Sequence, residues 1–217
     1  MPRAALAVAI AVLACVARPA PAEEVAKPLA PREVAAALRG GGLVLYMRHP
    51  ETDRAQADAD ALDLADCATQ RNLSDAGRRT AVAVGAALRS VGAGIDRAVT
   101  SEYCRARDTA ALMAPAAPVE ADGALNDGGR MQASGPDSPQ AEAVRAMLRK
   151  APAPGRSTLI VAHRPNLADA AGRAFADLAE GEIAAFRPAP TEPPGFRAVA
   201  RVRPEDWVGI AEPGARD

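Results

Sequence analysis

The 217-residue chain is 49% apolar and 24% charged, proportions that exclude a disordered or fibrous protein and leave room for one well-buried domain. Lys and Arg number 26 against 27 Asp and Glu, a formal charge of −1, so long-range attraction to a polyanion is excluded. One Trp, two Tyr and three Phe are too few for the aromatic stacking platforms of single-strand binders, and no partner nucleic acid is expected.

The first 22 residues read as a secretory signal peptide. Arg3 gives the positive start, residues 4–14 are apolar, and Ala20, Pro21 and Ala22 fit a small-residue cleavage site. A membrane span needs about 20 apolar residues, and Arg18 and two prolines interrupt this run first. A lipoprotein anchor at Cys15 is a lesser alternative. The reading therefore assigns 1–22 as signal peptide and 23–217 as one domain in a periplasmic or secreted protein, with no stable membrane insertion after cleavage. Cys67 and Cys104 are then the remaining thiols. An oxidising compartment favours pairing them as a disulfide, although two buried free cysteines stay open as an alternative.

Residues 32–39 place Val34 and Leu38 on one helical face before three glycines. Residues 43–47 follow as a short, wholly apolar run, which predicts a strand buried on both sides and ending at Arg48, His49 and Pro50. Two similar runs occur at 95–100, leading to Ser101, and at 158–162, leading to His163. Between them, Ser74 caps a helix carrying Ala81, Val84, Leu88 and Val91, and a second helix starts near Ser101 with Tyr103, Ala106, Ala110 and Met113. A third begins at Ser138 and Pro139, with Ala141, Val144 and Leu148 inward, and the tail predicts a hairpin of strands 182–187 and 198–203. The alternation predicts an α/β three-layer sandwich, with a mostly parallel central sheet and helices on both faces. The connections 50–72 and 122–137 are long, and such loops are usually functional or disordered. The first carries Asp53, Asp58, Asp60, Asp63 and Asp66, read as a solvated acidic loop in preference to a cation site.

Only two histidines are present, His49 and His163, and each follows an apolar strand. Ligands of open α/β sheets bind beyond the carboxyl ends of the strands, so the two rings are expected to share one crevice. Each lies beside an arginine, Arg48 or Arg164. Neutral imidazole is a nucleophile near neutral pH, and guanidinium forks match phosphate oxygens. Arg105 is expected in a first helical turn, where unsatisfied N–H groups favour an anion. The cluster predicts phosphate chemistry.

These residues resemble the histidine phosphatase superfamily, also called phosphoglycerate-mutase-like. The resemblance rests on Arg48, His49 and Pro50 after a strand, Ser101 to Arg105 followed by Thr109 and Ala110, His163 after its strand, and the approach from Gln70 to Gly77. It implies a phosphohistidine on His49, with Arg48, Arg105 and His163 holding the equatorial oxygens and water releasing phosphate. That scheme requires no metal and no cofactor; its partner is a small phosphorylated substrate.

Two departures bear on function. Pro50 replaces the family's glycine and removes a backbone N–H. No acidic residue directly follows His163, so the resemblance directs the general acid to the loop after the next strand, where Asp127 is the candidate, with Asp122, Glu51, Asp53 and Glu182 as rivals. The expected function is an exported phosphoric monoester hydrolase acting on esters or anhydrides. The alternative is a catalytically weak phosphate-binding protein of the same fold.

Overall fold

The computed structural model describes residues 29–126 and 133–211. The expected leader at 1–22, with Cys15, lies outside the described residues. Six strands form one sheet: β1 Val44–Arg48, β2 Ile95–Thr100, β3 Val119–Ala121, β4 Ser157–Ala162, β5 Ile183–Pro188 and β6 Phe196–Val202. Their order is β3-β2-β4-β1-β5-β6. The pairs β1/β4, β4/β2 and β2/β3 are parallel, while β5 and β6 join antiparallel as the expected hairpin.

The helices are α1 Pro31–Gly40, α2 Asp75–Ser90, α3 Cys104–Met113, α4 Pro139–Arg149, α5 Arg164–Ala171 and α6 Trp207–Ala211. Ser74 and Ser138 cap α2 and α4 by accepting the N–H of Gly77 and Ala141. The third helix starts at Cys104 rather than near Ser101, because Tyr103 is extended and serves as its N-cap. The sequence reading did not foresee α5, since Pro165 resembles a breaker. At the second position of a helix, however, proline loses no intrahelical bond and its φ already fits.

Alternation along the central strands divides the core into two layers. Leu45 and Met47 face Val34, Leu38, Val84, Leu88 and Trp207, under α1, α2, α3 and α6. Val44 and Tyr46 face Val144, Leu148, Leu167 and Phe186, under α4 and α5. Each buried aliphatic side chain contributes about 1.5–3 kcal/mol, so both layers hold the sheet rigid beneath its loops. The neighbours β2, β4 and β1 point the same way, and their carboxyl ends deliver Ser101, His163 and His49 side by side. The ladder continues past them: His49 N–H donates to Ala162 O and Ser101 N–H to Val161 O, both at 3.1 Å.

Candidate active site

The two imidazoles, 114 positions apart in sequence, lie with ring centroids 5.3 Å apart and planes at 70°. His49 is 4% exposed and His163 2%. The Nδ1–H of His49 donates to Pro50 O at 2.8 Å, which leaves the lone pair on Nε2. The carbonyl of Pro50 thus serves the site where its missing N–H cannot. His163 is the N-cap of α5, yet its ring makes no capping bond. It meets Ser101 Oγ through Nε2 at 3.0 Å. The buried Tyr46 phenol donates to His163 O at 2.9 Å, and burial raises its pKa, which keeps it a donor.

Arg105 is fully buried. Its guanidinium donates to Asp58 Oδ1 and to Arg71 O, each at 3.0 Å, and lies 4.1 Å over the Tyr103 ring. The same Tyr103 ring stands edge-on to His163 at 5.1 Å. Arg48 donates to Leu178 O and to Glu180, both at 3.0 Å. Burial is the main force lowering the His49 pKa to about 3. The Pro50 bond opposes it, and Arg105, Arg48 and Arg71 add to it. His163 is held well below the ordinary histidine value by burial, then by His49 and the same three arginines. Both rings are therefore neutral in an electropositive pocket, which suits an anion.

Of the four expected residues, His49 and His163 lie ring to ring, Arg105 stacks on the Tyr103 ring that meets His163, and the charges of Arg48 and Arg105 act on both imidazoles. Three features revise the sequence reading. Asp58 is not merely solvated: it accepts from Arg105 and from the Arg71 N–H, while Asp53, Asp63 and Asp66 accept backbone N–H groups in local turns. The amides expected to bind an anion at the start of α3 are partly taken. Cys104 N–H donates to Gln70 Oε1, and the N–H groups of Ala106 and Arg107 to Tyr103 O. Arg71, within the approach from Gln70 to Gly77, is a third guanidinium acting on both rings; its place after a long irregular loop carries no periodic signal. Ser101 and Tyr103 were likewise legible as strand end and helix stripe, not as neighbours of His163.

Asp127, the candidate general acid, lies outside the described residues. Each rival has local hydrogen bonds. Asp122 accepts Ala124 N–H, Glu51 the Ser74 hydroxyl, and Asp53 the Ala55 N–H. Glu182 is buried against Arg201 at 2.6 Å and also accepts Ala179 N–H. Cys67 and Cys104 form a disulfide, which ties the 50–72 loop to the first residue of α3. Among the described residues, no three His, Cys, Asp or Glu side chains gather as metal ligands would.

The parallel central strands of a mixed α/β sheet thus bring two histidines together, with three arginines acting on both rings. The sequence profile of the histidine phosphatase superfamily (branch 1) matches residues 44–164, and the chain belongs to that family. No protein of curated function matches it. In fold it is similar to the protein histidine phosphatase SixA solved with tungstate, at TM-score 0.53 and 17% identity, covering 76% of this chain and 98% of that one. A SixA-type chain from Nakamurella multipartitia gives 0.51 and 22%, with 76% and 98% covered. The mycobacterial glucosyl-3-phosphoglycerate phosphatase Rv2419c gives 0.50 and 15%, with 75% and 98% covered.

Proposed function

We propose that the protein is an exported phosphatase that hydrolyses phosphate esters or anhydrides of small molecules through a phosphohistidine on His49. The observation that carries this reading is the His49 ring, with Nδ1–H tied to Pro50 O, the lone pair left on Nε2, and a second imidazole whose ring centroid lies 5.3 Å away. Nε2 attacks phosphorus, the bond from phosphorus to the leaving oxygen breaks, and that oxygen departs with the electron pair and takes up a proton. Water then attacks phosphorus, the P–N bond breaks, and inorganic phosphate leaves. The Pro50 carbonyl stabilises the positive charge that grows on the ring. Arg48, Arg71, Arg105 and His163 hold the phosphoryl oxygens, and Asp127 supplies the proton to poor leaving groups. The family membership and the phosphatases among the fold's neighbours support this chemistry, and the signal-like pattern of the first 22 residues is the sequence argument for export.

The second reading is a phosphate-binding protein with weak turnover. The observation behind it is that the described rival acids are all engaged locally. Hydrolysis of p-nitrophenyl phosphate by wild type, His49→Ala and Asp127→Asn separates the two. Steady turnover abolished by His49→Ala, with phosphate trapped on His49 by acid quench, is expected. Asp127→Asn is expected to slow an alkyl phosphate far more than the aryl ester. Turnover that survives His49→Ala would overturn the mechanism.

A further inference from the structure

His163 and Ser101 meet where water does not reach, with Oγ and Nε2 at 3.0 Å and both residues buried. A hydroxyl can donate or accept, and a neutral imidazole carries one N–H and one lone pair. The contact therefore has two forms, which place the ring proton on opposite nitrogens. The structure supplies a second observation. The other ring nitrogen, Nδ1, is buried and has no hydrogen-bond partner among the described residues. A buried polar atom left in this way calls for an explanation.

The surroundings decide between the forms. The ring is flanked by His49 and by the edge-on Tyr103, and its main chain is pinned by the Tyr46 phenol. Little freedom remains to exchange the two nitrogens. After burial and His49, the groups acting on the ring are the guanidiniums of Arg105, Arg48 and Arg71; Asp58 and Glu180 pair with two of them, so a net positive charge remains and the ligand drawn here is an anion. Toward an anion a lone pair on Nδ1 is repulsive and an N–H is attractive.

We infer that Ser101 donates its hydroxyl hydrogen to Nε2 of His163 and thereby fixes the Nδ1–H tautomer, whose N–H is the donor offered to the phosphoryl group. Ser101 is thus a positioning residue acting through His163. His49 carries the same tautomer, held from its other end by Pro50 O. One ring turns a lone pair toward phosphorus, the other an N–H toward oxygen. The identity of the anion rests on the phosphatase reading; the tautomer does not.

The chain holds only two histidines, so protein labelled with [15N]histidine gives two imidazole patterns, assigned with His49→Ala. Wild type is expected to show His163 with a protonated Nδ1 and a bare Nε2, and inorganic phosphate is expected to shift the Nδ1 signal. Ser101→Ala is expected to give a mixture of tautomers and to lower kcat about 10- to 100-fold with a smaller change in KM, less than the roughly 100- to 1000-fold of losing one transition-state donor outright because part of the population keeps the productive tautomer. Ser101→Thr, which keeps the hydroxyl, is expected to restore the single tautomer. A proton on Nε2 in wild type, an unchanged tautomer in Ser101→Ala, or a phosphate titration that leaves His163 Nδ1 unmoved overturns the inference. The ring pattern is read without turnover. Wild type inert toward p-nitrophenyl phosphate but protonated on Nδ1 of His163 would therefore overturn the phosphatase reading alone and support the tautomer.

Discussion

A histidine that attacks phosphorus is useful only while its lone pair is bare, and His49 is built to keep it so. Burial and three arginines bring its pKa from 6.5 to about 3. The free chain takes up a proton at this ring as pH falls below about 6.5, while the folded protein resists until about 3. Unfolding therefore binds protons across that interval, and stability rises with pH. His163 acts in the same direction. The thermal midpoint is expected to fall progressively as pH is lowered from 7 towards 4, and to fall less steeply in His49→Ala; melts at stepped pH values check both. A midpoint flat across this range would show that the rings are not held neutral. The sequence placed both histidines at strand ends beside arginines, which favour the neutral ring, but could not show how deeply they are buried.

At the scale of elements, the approach of α2 to the nucleophile depends on one missing side chain. A Cβ at Gly77 would run into the backbone carbonyl of Glu51, two residues beyond His49. Alanine is favoured over glycine within a helix by about 1 kcal/mol, yet overpacking against backbone costs about 1–3 kcal/mol. Gly77→Ala is therefore expected to destabilise the protein in urea unfolding and to reduce kcat, because the turn holding Pro50 O must shift. Elements of this kind were largely legible. Strands stood out as apolar runs between glycines and prolines, and helices as stripes ended by caps. The pairing of Asp58 with Arg105 was not, because the two are 47 positions apart and charge complementarity across an irregular loop has no period. Tyr46 was legible as a strand residue, but its hydrogen bond reaches 117 positions along the chain.

Across the whole molecule, the crevice is assembled from a regular sheet and an irregular loop. The sheet fixes both histidines, whereas Asp58 and Arg71 arrive on the 50–72 loop, whose regular structure is one short turn at Cys67–Thr69 and a bridge from Thr52 to Leu73. The disulfide between Cys67 and Cys104, 37 positions apart, fastens that loop to α3 immediately before Arg105. Closing a loop of this size is worth about 3–4 kcal/mol in the chain-entropy model, or roughly 6–16 °C of thermal midpoint. A dithiol reductant is expected to lower the midpoint by that order. It is also expected to raise KM for p-nitrophenyl phosphate more than it lowers kcat, since the nucleophile sits on the sheet, whereas Arg71 and the Asp58 that anchors Arg105 sit on the loop. An unchanged KM after verified reduction would show that the loop holds its place unaided. In a reducing milieu the protein is thus expected to fold with its hold on the ligand slack, and oxidation to tighten it, so that catalytic competence reports the surroundings in which the chain finds itself.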